Sequence, residues 1–183
     1  ITRCRQMLDA GAVPVEPFTF LLLDQIGPRD QLALSQRFCS ALIPPVSLPA
    51  RVVPDAPQRR LRIGYFGDIF HEHATARLVT GMIEQHDHAR FEVHAFSYGP
   101  DDDGERRRRL VEACDAFHDL RALDVAQTAA YIHQQEIDIL IDLNGWTGNT
   151  RSAALAWRPA TVQGNWLGYP ATMGDRRIAD YLI

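Results

Sequence analysis

The chain has 183 residues, 46% hydrophobic and 23% charged, with a formal net charge of -4. That is enough chain to bury a full core in one domain, and so even a charge balance does not suit a nucleic-acid surface. No apolar run is long enough to cross a bilayer and no charged-then-apolar leader opens the chain, while Cys4, Cys39 and Cys114 are odd in number and widely spaced, so the reading is a soluble, cytoplasmic protein with reduced thiols.

In chain order, residues 1–43 read as helical. Cys4, Met7 and Leu8 recur at helical spacing, and the stretch 30–42 sets Leu32, Leu34, Phe38 and Leu42 among polar residues. Pro14, Pro17 and the pair Gly27 and Pro28 punctuate it. Pro44, Pro45, Pro49, Pro54 and Pro57 follow with no periodic pattern among them, which makes residues 44–60 an extended connector.

From Leu61 short apolar runs alternate with longer amphipathic ones. Strands are expected at 61–66, 91–98, 116–120, 137–143, 161–167 and 179–183, and helices at 75–85, 105–114, 125–135 and 151–157. Strand alternating with helix over short connections predicts an α/β lobe with a mostly parallel sheet across residues 61–183. The chain opens on Ile1 and stops at Ile183 in what reads as mid-strand, so a fragment of a longer polypeptide is expected.

In a parallel sheet of this kind ligands gather at the carboxyl ends of the strands. Three polar loops leave such ends: residues 67–75, 144–150 and 168–174. In the first, His71 and His73 flank Glu72. Two imidazoles at this spacing suit a metal, but a metal site needs a third ligand and no matching cluster follows. A second pair, His86 and His88, falls at a helix end and reads as a solvated turn. A single imidazole titrates near pH ~6.5 and suits proton transfer near neutrality. His73, Ala74 and Thr75 stand at a helix start, where backbone N–H groups also favour an anion. Metal pair, general base and polar turn all stay open on the residues alone.

The second loop joins Gly145 and Gly148 to small polar side chains and to Trp146, which is expected to pack over the sheet end. It contains neither a G-x-G-x-x-G pattern nor a phosphate-loop lysine, which disfavours a dinucleotide fold of the dehydrogenase sort. The third, Gly168 to Gly174, combines glycines with Pro170 in a rigid turn able to present backbone N–H groups. Arg106, Arg107, Arg108 and Arg109 follow Asp101, Asp102, Asp103 and Glu105. Their field is largely cancelled, and a solvated helix face is expected.

Three stretches in order, RIGYFGDIFHEHATARL, IDILIDLNGWTGNTR and ALAWRPATVQGNWLGYPATMGDRRIADYLI, resemble the catalytic region of the O-linked N-acetylglucosamine transferase family, the SPINDLY-like glycosyltransferases. The resemblance runs from Leu61 to Ile183, and residues 1–43 are similar to the segment joining tetratricopeptide repeats to that region. It implies a Rossmann-like amino-terminal lobe facing a second lobe across a cleft. The implied reaction is inverting transfer of N-acetylglucosamine from UDP-N-acetylglucosamine to serine or threonine hydroxyls of proteins, with no metal and no other cofactor. The isolated fragment would be inactive. Implied partners are the protein acceptor, the nucleotide-sugar donor, the second lobe, which holds the diphosphate, and the repeats of the same polypeptide; no nucleic acid and no membrane is among them.

Residue by residue, His73 matches the histidine of the family's His-Pro-Thr motif, the catalytic candidate, with Ala74 in place of proline and Thr75 kept. Gly168, Tyr169, Pro170 and Thr172 match a loop near sugar and acceptor, where Ala171 replaces a glycine and Met173 a serine. Ile69 stands where the family has an aspartate, with Asp68 one place earlier. Ala171 and Met173 are expected to add bulk against the ligand. That admits another sugar such as glucose, or a non-catalytic binding module.

Overall fold

The computed structural model describes residues 16–23, 26–50 and 59–183. The helical pattern of Cys4, Met7 and Leu8, the break at Pro14 and the connector prolines Pro54 and Pro57 lie outside the described residues. Two helices come first, α1 (Pro17–Phe20) and α2 (Pro28–Leu42). Gly27 caps α2 in extended backbone and Pro28 takes its first position, where a missing N–H leaves no bond unmade.

The lobe then alternates β1 (Leu61–Gly67), α3 (Ala74–Glu84), β2 (Phe91–Ser97), α4 (Glu105–Ala113), β3 (Ala116–Asp119), α5 (Val125–Gln134) and β4 (Ile139–Asp142). A 3-10 helix (Ser152–Trp157), β5 (Val162–Asn165) and β6 (Tyr181–Leu182) complete it. The strands form one six-stranded sheet in the order β3-β2-β1-β4-β5-β6 with every neighbouring pair parallel. This is the doubly wound order, in which the progression of strands switches from one side of β1 to the other between β1 and β4 while every strand keeps the same direction. The Rossmann-like expectation holds. The last three strands are shorter at both ends than the apolar runs suggested.

The alternating residues of β2 do not give it a wet face. Val93 and Ala95 join Ile63, Tyr65, Val79, Ile83 and Leu110 under α3 and α4, while Phe96 joins Phe66, Leu140, Ile132 and Trp146 under α5 and the 3-10 helix. A parallel sheet is covered on both sides, so the polar His94, only 5% exposed, needs partners inside. Its ring meets Glu92 Oε1 and His118 Nε2, each at 3.0 Å, and His118 Nδ1 meets the Tyr131 hydroxyl at 3.0 Å.

The second core also contains α2. Cys39 and Ile43 belong to the cluster of Phe66 and Trp146, and Phe38 meets Trp146 edge-on at 5.1 Å. Trp146 is fully buried over the sheet end, as expected. The helix turns a different stripe inward from the one its leucines suggest: Leu34, Ser35 and Cys39 are buried, while Leu32 and Leu42 are 42% and 47% exposed. Leu32 precedes Leu34 by two residues, about 200° around the helix, and at the carboxyl end Ile43 takes the buried place instead of Leu42. No described helix is long and apolar enough to cross a membrane.

Candidate functional site

Because β1, β4 and β5 are neighbours, the loops leaving their carboxyl ends come together. The link between the first two is Asn144. Its Nδ2 donates to Asp68 Oδ1 at 2.7 Å and its Oδ1 accepts from Asp68 N at 2.9 Å, a closed pair of bonds between the turn after β1 and the turn after β4. Asn144 is itself held by Asp142, whose Oδ1 accepts from Asn144 N at 2.9 Å and Gly145 N at 3.1 Å, while Oδ2 accepts from Ser152 Oγ at 2.6 Å. Burial raises the carboxyl pKa of Asp142, and the donors from Ser152, Asn144 and Gly145 oppose that rise.

The third loop is fastened by close backbone approach. Gly145 has φ +59°, and a Cβ there would lie 2.4 Å from Cβ of Tyr169; at Gly168 a Cβ would lie 2.2 Å from the Leu143 carbonyl oxygen. Neither position has room for a side chain. The loops after β4 and β5 therefore touch along their main chains, and a change in one displaces the other.

His73 caps α3. Its backbone is extended (φ -134°, ψ 150°) and its Nδ1 accepts from Thr75 N at 3.2 Å, the place usually taken by Ser, Thr, Asp or Asn. Ala74 occupies the first helical position, where alanine and proline are both well tolerated, so that departure from the His-Pro-Thr pattern leaves the geometry intact. With Nδ1 accepting, a neutral ring carries its proton on Nε2. The free nitrogen of His73 then offers a donor rather than a lone pair.

His71 and His73 have ring centroids 5.5 Å apart, and no group of three or more His, Cys, Asp or Glu suited to a metal occurs among the described residues. The second histidine pair divides: His88 stands in an exposed turn, as expected, whereas His86 is half-buried. His86 Nε2 lies 2.7 Å from the Tyr65 hydroxyl, with burial lowering its pKa, and His88 Nδ1 lies 2.9 Å from Asp115.

The remaining sequence-derived residues separate into two kinds. Pro170 is exposed, whereas Gly168, Thr172 and Thr75 are half-buried, and Thr172 Oγ1 accepts from Gly174 N at 3.2 Å. Tyr169 is 3% exposed, its hydroxyl 3.4 Å from Ser35 Oγ under α2, so its ring supports the loop from below and only its main chain can face a ligand. Met173 corrects an expectation. Its side chain is 3% exposed and packs in the core, and its carbonyl accepts from Trp146 Nε1 at 2.9 Å and Cys39 Sγ at 3.0 Å. The bulk it adds lies in the interior, and the half-buried Ala171 packs against the same core.

A cavity of about 470 Å³ opens between the ends of β1, β2 and β4, walled by Asp68, Tyr98, Gly99, Thr150 and Arg151 among others. Arg151 does not direct its charge into it. Its Nη1 donates to the carbonyls of Leu120 (2.6 Å) and Leu123 (2.7 Å), and the guanidinium lies 5.3 Å from the Tyr98 ring centroid. Sequence reasoning missed Asp142, Asn144 and Asp68 as a unit. The available signal was a carboxylate and an amide two residues apart at the end of the most strand-like run.

A model of glycosyl transferase family 41 matches residues 42–183. A probable UDP-N-acetylglucosamine–peptide N-acetylglucosaminyltransferase SEC of Arabidopsis thaliana is 31% identical over 180 residues, covering 97% of this chain and 18% of the relative. The UDP-N-acetylglucosamine–peptide N-acetylglucosaminyltransferase of Caenorhabditis elegans is 37% identical over 126 residues, covering 68% of this chain and 11% of its own length. Among solved structures, a mutant O-GlcNAc transferase of Thermobaculum terrenum superposes with a TM-score of 0.82 at 30% identity, over 91% of this chain and 32% of that one. The chain thus spans less than a fifth of either curated relative.

Proposed function

The chain belongs to glycosyl transferase family 41, and we propose that it forms the amino-terminal wall of a cleft in which N-acetylglucosamine passes from UDP-N-acetylglucosamine to serine or threonine hydroxyls of proteins. The observation that carries this reading is the meeting of the β1, β4 and β5 loops beside the amino terminus of α3, with His73 at its cap. The names of the two curated relatives supply the donor and the peptide acceptor. A second lobe and tetratricopeptide repeats of the same polypeptide complete the enzyme, and the two described free thiols, Cys39 and Cys114, suit a cytoplasmic setting.

In an inverting transfer the acceptor oxygen attacks the anomeric carbon, the bond from that carbon to the diphosphate oxygen breaks, and UDP leaves with the bonding electrons. The hydroxyl proton must go to a base. His73, with its proton on Nε2, donates a hydrogen bond to a sugar or acceptor oxygen and fixes its direction, and a phosphate oxygen of the donor takes the proton. Nε2 of the neutral ring already carries a hydrogen and can take the hydroxyl proton only after that hydrogen moves to Nδ1, which breaks the helix cap at a cost of about 1 kcal/mol. The main chain of residues 168–172 lines the sugar, and no metal takes part.

The test is transfer of labelled sugar from UDP-N-acetylglucosamine to peptide by the full-length protein, with His73→Ala alongside. Transfer that falls by about a hundredfold in a folded His73→Ala, the scale of losing one positioned hydrogen-bond donor, supports the assignment. Absence of transfer from any UDP-sugar removes the enzymatic reading, and full activity in His73→Ala removes the role of that residue.

A further inference from the structure

The four arginines of α4 are not one solvated face. Arg106 Nε lies 3.3 Å from Glu72 Oε1, Arg108 is exposed, and Arg109 pairs with Glu84 of α3 at 2.7 Å. Arg107 is 7% exposed. Its Nη1 donates to the Phe70 carbonyl at 3.0 Å, its Nε meets Asp101 Oδ1 at 2.9 Å, and its guanidinium lies 4.8 Å from the Phe117 ring centroid.

Phe70 is fully buried and lies three residues before His73. The same acidic segment reaches that turn a second time, since Asp102 Oδ2 accepts from Glu72 N at 2.8 Å while its Oδ1 accepts from Gly104 N, the cap of α4, at 3.0 Å. The backbone of residues 70 and 72 is therefore clamped from outside by Arg107 and Asp102, with Arg106 paired to the exposed Glu72 carboxylate, and residue 68 is clamped from inside by Asn144. His73 is the next residue along.

We propose that Arg107 is a positioning residue for His73, fixing the turn that sets where the imidazole stands in the cleft. This rests on the reading of the cleft given above. Lysine cannot replace it, because one ammonium cannot face a carbonyl and a carboxylate in two fixed directions while stacking on a ring. With the guanidinium gone, the buried Phe70 carbonyl loses its donor and the turn is free to shift; misplacement by about 1 Å can slow a reaction about a hundredfold.

The experiment uses the full-length protein with Arg107→Lys, Asp101→Asn and the control Arg109→Lys. Two quantities are read: kcat and KM for UDP-N-acetylglucosamine, and the rate at which diethyl pyrocarbonate modifies His73, followed by peptide mass spectrometry. Arg107→Lys is expected to lower kcat about tenfold or more with KM within about twofold, and to change the modification rate of His73. Arg109→Lys, on the same helix, leaves both unchanged. A folded Arg107→Lys with unaltered kcat and His73 modification overturns the proposal. Should Arg107→Lys not fold, Asp101→Asn, whose side chain is 40% exposed, decides it by the same readouts. Full activity in His73→Ala would fault the cleft assignment instead, and the His73 modification rate still decides whether Arg107 sets its position.

Discussion

Replacing His73 with asparagine separates two roles that alanine cannot. Asparagine is a preferred helix cap, so its Oδ1 can accept the Thr75 N–H that Nδ1 now holds at 3.2 Å, and its Nδ2 can donate into the cleft, but it cannot take a proton near neutral pH. The cap keeps stability near wild type, whereas His73→Ala loses about 1 kcal/mol, a fall of about 2 to 4 °C in Tm for a domain of this size. If His73 donates a hydrogen bond, His73→Asn keeps kcat within about tenfold of wild type, since exchange of one neutral donor for another is worth of the order of 1 kcal/mol. If it is the base, asparagine and alanine lose alike, by about a hundredfold or more. The assay is steady-state transfer to a fixed peptide, with Tm measured on the same preparations. Equal loss in the two variants would refute the donor assignment and the tautomer argument behind it.

Asn144→Ala should lower stability by about 2 kcal/mol through loss of its two bonds to Asp68 and should lower transfer as the turns after β1 and β4 part; Tm and kcat are the measurements. Gly145→Ala forces a side chain into φ +59° and to within 2.4 Å of Tyr169 Cβ, a loss of about 2 kcal/mol or more in denaturant unfolding. Burial and the neighbouring His94 lower the His118 pKa from 6.5 to about 4. The unfolded chain then binds a proton that the folded one refuses. This contribution to stability is whole above pH 6.5 and is lost as pH falls towards 4, to a limit of about 3 kcal/mol. Unfolding midpoints across that window should flatten in His118→Gln relative to wild type. Treatment with a chelator should leave transfer unchanged; loss restored by a divalent metal would return the His71 and His73 pair to consideration.

The sheet, its parallel order and the meeting of three loops at its carboxyl edge were legible because strand and helix periods alternate cleanly from Leu61 onward. Trp146 was legible as a packing residue for the same reason. What side chains do once buried was less so. The resemblance places Met173 and Tyr169 in a loop near sugar and acceptor, yet α2 offers them a core through Ser35 and Cys39, some 134 residues away in sequence. Arg107 sits in a run of like charges that gives no sign which one turns inward; its burial follows from the Phe70 carbonyl and Asp101 on a neighbouring turn. His94 shows the limit of alternation, since a polar period in β2 marks a hydrogen-bonded interior position rather than a wet face.

The placement of α2 has a practical side. The proline-rich stretch between Ile43 and Leu61 is where a protein engineer would cut to isolate the Rossmann-like lobe, but the interior does not stop there. A truncated form beginning at Leu61 would uncover Trp146 and Met173 by removing the half-buried Phe38 and the buried Cys39 and Ile43. Such a product would expose a greasy patch beside the 168–174 loop and precipitate, and soluble expression calls for a start ahead of Pro28.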